Sequence, residues 1–278
     1  MFMLMSAFFA LAALMQMILD REKISKQLKC SPILANNWTG ADIVFVIIFF
    51  VVASYVAGSI PTYIINYLGD SDLPNRENLS IIEYSFYLSS NFLLVHLPGI
   101  FLCVLFVTKL HRRFIYHLPN VDNDITKDIR YGCLCFVRII APVMVTSLIS
   151  SLVLRQMGYD VEPQEILIAF TNSDSLVINI YIACIAIFIG PVFEELIFRG
   201  ILFPYVLKYA SIPVAVFAVS AVFAAIHGHI PSFLPIFVLG CGLSLSYLKS
   251  GSIVVPITMH VLFNALNLVL LTIVTKCT

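Results

Sequence analysis

Charge is scarce in this sequence. Only 12% of its 278 residues are Asp, Glu, Lys or Arg, while 60% are hydrophobic. A soluble globular domain carries about 25% charge, so that class is excluded. The few charges sum to zero, which leaves no basic footprint for nucleic acid, and no nucleic-acid partner is expected. Alternating strands of about ten residues are absent, which excludes an outer-membrane barrel. The helical HExxH pattern of zinc proteases is missing. The seven cysteines, Cys30, Cys103, Cys133, Cys135, Cys184, Cys241 and Cys277, show no zinc-ribbon spacing, and Cys133 and Cys135 are separated by a single residue. Most fall in apolar segments and read as small buried residues. The opening run MFMLMSAFFALAALMQMIL has no positive n-region, and its positive charges follow it, so it reads as a retained anchor rather than a cleaved signal. There is no sequence repeat, low-complexity tract or soluble domain.

Long apolar runs take up the rest. Eight segments stand out, at roughly 1–19, 43–65, 91–108, 132–153, 177–206, 211–227, 232–248 and 253–274. About 20 apolar residues cross a bilayer as a helix, and in lipid each backbone polar group needs a partner within the fold. The expected fold is therefore all-α, a polytopic transmembrane bundle of about eight segments. Such a chain is an integral membrane protein, of the plasma (inner) membrane if the source is bacterial. Segment 177–206 is long for one span and 211–227 is short, so the last three spans are expected to be tilted or partly re-entrant. The chain divides into N-terminal helices without an assigned motif, 1–170, and a core, 171–278.

Loop charges give an orientation. Loop 20–42 carries Arg21, Lys23, Lys26 and Lys29, and loop 109–131 carries Lys109, Arg112, Arg113, Lys127 and Arg130. Loops 66–90 and 154–176 carry one cation each, Arg76 and Arg155. The positive-inside rule then places the first and third loops in the cytoplasm and both termini outside, with Lys208 and Lys249 also inside. Arg138, near the cytoplasmic start of the fourth segment, is expected to snorkel to the headgroups. The stretch EPQEILIAF within 155–175 suggests a short interfacial helix starting at Pro163.

Against this background, ionisable groups inside apolar runs usually face an interior cavity and mark function. They gather in the last hundred residues: Glu194, Glu195, Arg199, His227, His229, His260 and Asn264. Within GPVFEELIFRG, Glu195 and Arg199 are four apart with the acid first, the favourable order for a helical ion pair. Glu194 is rotated from Glu195 by about 100°, so one carboxylate is left over. In FAAIHGH, Phe223 and His227 share a helix face, and Gly228 and Pro231 end that helix; His229 reads as a satisfied interfacial residue. In PITMHVLFNAL, His260 and Asn264 project from one face below Pro256, which can kink the helix. An interhelical hydrogen bond would account for that pair without any chemistry.

Together these groups suit the activation of a water molecule. A carboxylate can take its proton and an imidazole can orient or deprotonate it. A second His and an Asn amide can donate to a developing oxyanion. Glu194, His227 and His260 could instead hold zinc with an open position.

EELIFR, FAAIH and HVLFN match, in order and on successive spans, the EExxxR, FxxxH and HxxxN motifs of the CPBP family. That family comprises CAAX prenyl proteases and bacteriocin-processing proteins, also called Abi proteins. SYLKSGSIVVPITMH is similar to its run into the last motif. The resemblance covers roughly 175–270 and implies an all-helical intramembrane endopeptidase. By motif, Glu194 is the general base with His227 beside it, and His260 and Asn264 form the oxyanion side. Glu195, Arg199 and Phe223 are supporting. No metal is assigned, although family members are often called metalloproteases. A metal-free, glutamate-activated water is favoured over zinc on Glu194, His227 and His260. The implied partners are a peptide or protein substrate, prenylated or a leader peptide, and membrane lipid.

The competing reading is a non-proteolytic immunity or scaffold protein that retains the fold. A transporter is disfavoured because the polar site lies at one end and no two halves match. One tension remains within the sequence. The topology sets Glu194 past the middle of an inward span and His227 near the outer end of the next. For the two to share a water, the sixth segment must start deep and tilt, or its boundaries must move by several residues.

Overall fold

The computed structural model describes residues 39–46, 125–159 and 176–277 continuously, with scattered positions between 48 and 101 and at 161 and 170. The expected segments 1–19 and most of 43–65 and 91–108 lie outside the described residues. So does most of the interfacial helix expected within 155–175. Five helices make up the described core: α1 (Ile125–Gln156), α2 (Leu176–Leu207), α3 (Ile212–Ala225), α4 (Ile230–Ser250) and α5 (Val254–Cys277). No strand occurs among the described residues.

Four of the five, α1, α2, α4 and α5, are long and apolar enough to cross a membrane. The molecule is an integral membrane protein. The apolar segments of the sequence map onto these helices closely, with two differences. Helix α1 begins seven residues before its segment, because its first two turns carry Lys127, Asp128 and Arg130 and hydropathy does not register them. Segment 211–227 shortens to α3, only 14 residues long. At 1.5 Å per residue α3 measures about 21 Å, while α1 and α2 reach about 48 Å.

Helix α2 is not uniformly α-helical. Two π turns, Ile185–Ile189 and Leu196–Leu202, bracket the α-helical stretch Gly190–Glu195. Each π turn ends just before a proline. Gly190 N–H reaches back five residues to the Ile185 carbonyl ahead of Pro191, and Phe203 N–H reaches Phe198 ahead of Pro204. A proline inside a helix offers no N–H and its ring collides with the carbonyl four residues back. The wider π turn relieves that collision. Pro191 also leaves the Ala186 carbonyl without its five-residue partner, a vacancy that α5 fills.

Helix α4 sits at the centre. Its apolar window is 61% buried, against 22% for the other three spanning helices. A central helix must let neighbours close in on several sides, and α4 carries Gly240, Cys241, Gly242, Ser244 and Ser246 in succession on its buried faces. Small residues allow that approach. Gly240 marks the tightest contact with α3: a Cβ there would lie 3.0 Å from the Ser220 Cβ and 3.3 Å from the Phe223 ring. Helix α4 ends at Gly251, whose left-handed φ of 72° lets its N–H cap the Tyr247 carbonyl at 2.8 Å.

Candidate active site

The fully buried pair comes first. The Glu195 carboxylate accepts from Arg199 Nη1 at 2.7 Å, as the four-residue spacing predicts, and both side chains are wholly inaccessible. Removing two charges from water is expensive unless further partners compensate. Arg199 Nη2 donates to the Gly240 carbonyl of α4 at 3.1 Å, and the guanidinium carbon stands 4.5 Å from the centre of the Phe223 ring. The same Glu195 oxygen accepts a second hydrogen bond, from His260 Nδ1 at 2.9 Å. One carboxylate thus ties α2 to α5, and its arginine ties α2 to α3 and α4.

Glu194, a third of a turn away, points elsewhere. Its Oε2 lies 3.8 Å from His227 Nε2 and 3.9 Å from His260 Nε2. Both separations exceed a direct hydrogen bond and suit a bridging water. That oxygen is buried and accepts no hydrogen bond among the described residues. The Glu194 and His227 side chains keep 27% and 20% of their surface, whereas His260 keeps 4%. The site is therefore accessible along the Glu194–His227 side.

The outer contacts of the two imidazoles fix their tautomers. His227 Nδ1 lies 2.7 Å from the Phe223 carbonyl. A carbonyl has no hydrogen to give, so Nδ1 donates and a neutral ring keeps its lone pair on Nε2. His260 Nδ1 donates to the Glu195 carboxylate by the same logic. Both Nε2 atoms therefore face Glu194 Oε2, one carboxylate oxygen between two imidazoles. At these separations no close-set metal cluster exists among the described residues. With both rings neutral, two Nε2 lone pairs and a carboxylate, their second nitrogens held by a carbonyl and a carboxylate, would have the chemistry of a divalent-cation site.

Helix lengths resolve the tension left by the sequence. Because α3 stops at Ala225, its C-terminal loop does not reach the far end of a full span. Glu194 precedes the end of α2 by about 20 Å of helix, and His227 follows the start of α3 by nearly the same distance. The antiparallel pair brings them level. The meeting of Glu194 and His227 that the sequence required is present, with α3 too short to count among the spanning helices.

Asn264 is placed differently from its motif partner. Its Nδ2 donates to the Ala186 carbonyl at 2.7 Å, the group that Pro191 left unpaired. His260 joins the glutamates and Asn264 braces the backbone of α2. His229 bonds the Ser232 hydroxyl at 2.7 Å, in keeping with its reading as a satisfied residue. Phe223, wholly buried, packs edge-on against His227 at 5.0 Å, His260 at 5.7 Å and Phe198 at 5.0 Å between ring centres. The sequence reading did not single out Phe198, Gly240 or Ala186. Only Pro191, as a proline in a helix, carried a signal for the last.

No curated protein and no solved structure matches this chain. The family model described as type II CAAX prenyl endopeptidase Rce1-like matches residues 176–266, a segment that runs from the start of α2 into α5 and holds every site residue above. The match implies a peptidase of the CAAX-protease type. Residues 176–266 are thus similar to the Rce1-like type II CAAX prenyl endopeptidases, consistent with the CPBP resemblance read from the three motifs.

Proposed function

We propose that this protein is an intramembrane endopeptidase in which Glu194 activates a water molecule against a peptide carbonyl. The observation that carries this reading is the convergence of Glu194 Oε2 with His227 Nε2 and His260 Nε2, at 3.8 and 3.9 Å, from three separate elements of the chain. A water held there donates one hydrogen to Glu194 and the other to His227 Nε2. As its oxygen attacks the carbonyl carbon, its proton passes to Glu194 and the carbonyl oxygen becomes an oxyanion. His260 stabilises that oxyanion in its protonated form, through an Nε2–H, with the Glu195 carboxylate behind it. Asn264 has one amide hydrogen left after bonding Ala186 and can add to the same side. The carbon–nitrogen bond then breaks as Glu194 returns its proton to the leaving amine.

In this mechanism Glu195 and Arg199 hold His260 and take no proton. A divalent cation, if bound, would sit on Glu194, His227 and His260 and supply Lewis acidity; the metal-free reading is preferred because the two glutamates and two histidines suffice. The substrate is a membrane-associated peptide, a prenylated tail or a leader-type segment.

The test compares new protein termini in membranes carrying the natural chain and Glu194→Gln. Loss of a base of this kind lowers cleavage on the order of 100- to 10,000-fold. Termini that persist unchanged in Glu194→Gln would sink the proposal and leave a scaffold or immunity role.

A further inference from the structure

Away from the site, α1 and α4 form a long antiparallel seam. The Ile139 side chain comes within 2.8 Å of where a Gly242 Cβ would stand, and the Ser150 hydroxyl donates to the Pro231 carbonyl at 2.9 Å. These two pairs fix the register, so Lys249, two turns beyond Gly242 on the same face of α4, falls level with the Tyr131 turn of α1. Tyr131, Cys135 and Arg138 follow one another along α1 at helical spacing, on the flank of that seam. Arg138 and Lys249 both lie within electrostatic reach of the Cys135 thiol. Two cations from different helices therefore share a small neighbourhood.

Both cations are exposed, and no ion pair joins either of them to an acid among the described residues. Asp128, the nearby acid of α1, has an unpartnered carboxylate oxygen and pairs with neither. The surface around Arg138 is apolar: Leu134 is 56% exposed and Val137 67%. In a membrane helix that surface faces lipid tails. A partner for this patch must be anionic at one end and hydrocarbon at the other.

We propose that the α1–α4 seam binds the phosphate headgroup of an anionic membrane lipid, held by Arg138 and Lys249, with its acyl chains along Leu134 and Val137. Basic pockets between membrane helices on one face take such headgroups. An aromatic side chain such as Tyr131 beside two cations is the composition favoured at a membrane–water boundary. The site lies at the opposite end of α1 from the α3–α4 loop and does not depend on the proposed peptidase chemistry.

The experiment uses the full chain, delipidated in detergent and titrated with phosphatidylglycerol or with phosphatidylcholine of the same acyl chains. Retained lipid is counted by native mass spectrometry and the melting temperature is followed in parallel. The natural protein retains phosphatidylglycerol in preference to phosphatidylcholine. Arg138→Gln with Lys249→Gln lowers that retention on the order of 30-fold, about fivefold per cation, while its melting in phosphatidylcholine is unchanged. Arg155→Gln, which removes an exposed cation from the other end of α1, leaves the preference intact. Equal retention by the double variant overturns the proposal, as does an equal loss in Arg155→Gln. A melting shift that inorganic phosphate reproduces in full, with no preference between the lipids, overturns it in favour of a free anion. If the double variant does not survive purification, each single variant carries the same test at about fivefold.

Discussion

Replacing Arg199 with methionine separates structure from chemistry at this site. The side chain has no solvent access, and neither does its partner Glu195. Methionine fills much of the space but leaves the Glu195 carboxylate with His260 as its single partner. Breaking a buried ion pair by removing one partner costs about 3–5 kcal/mol. The lost contact of the guanidinium with the Phe223 ring, 4.5 Å away, contributes up to about 2 kcal/mol of that kind of stabilisation. For a chain of this size the drop in melting temperature is on the order of 10 °C. Adding Glu195→Gln to Arg199→Met removes the orphaned charge and keeps an acceptor for His260 Nδ1. Stability should then return most of the way, with a coupling near 3 kcal/mol, the upper end for residues in contact. The assay is unfolding of the four proteins of this cycle in one detergent. A loss below about 1 kcal/mol for Arg199→Met, the value of an exposed pair, would refute the reasoning. So would a double variant whose loss equals the sum of the singles. Cleavage by the rescued double variant should stay low, because a neutral residue 195 no longer balances a protonated His260.

Further expectations concern neighbouring residues. Asn264→Ala strips the Ala186 carbonyl of its donor and should cost about 1–3 kcal/mol. Pro191→Ala, which restores a backbone N–H to that carbonyl, should make the loss smaller, and an additive pair in thermal melts would count against this account. Gly240→Ala places a Cβ 3.0 Å from Ser220 and should destabilise by about 1–3 kcal/mol while displacing Phe223; unchanged melting would show that α3 and α4 can separate freely. His227→Ala should lower turnover more than substrate affinity, read as kcat against KM. Exhaustive chelation should leave cleavage within about twofold of untreated protein; loss of activity that a divalent cation restores would instead place a metal on Glu194, His227 and His260.

Much of this architecture was legible because hydropathy and helical spacing act locally. Apolar runs gave α2, α4 and α5 to within a few residues. Four-residue spacing gave the Glu195–Arg199 pair and separated Glu194 from it. The end of α3 was legible to within a few residues from Gly228 and Pro231, but that its last turn would lie beside Glu194 was not, since that depends on how α2 and α3 pack. The division of labour between His260 and Asn264 was hidden too. It depends on a carbonyl orphaned by Pro191 some 70 residues earlier in the chain, and such a partnership appears only once α2 and α5 are packed. Gly240 carried no signal at all, although its carbonyl holds Arg199.

The shortness of α3 bears on a problem that any hydrolase in a membrane must face. Water is a reactant, and hydrocarbon holds almost none. A helix of about 21 Å is shorter than a layer about 30 Å thick, so nothing in the length of α3 carries the loop with His227 and Gly228 to the far surface. The backbone N–H groups of Ile226, His227 and Gly228 are met by carbonyls of α3, which leaves Glu194 Oε2 and the two Nε2 atoms as the groups that an entering water would bond. The geometry that sets His227 level with Glu194 also leaves that side of the pair open, the side from which the second substrate has to come.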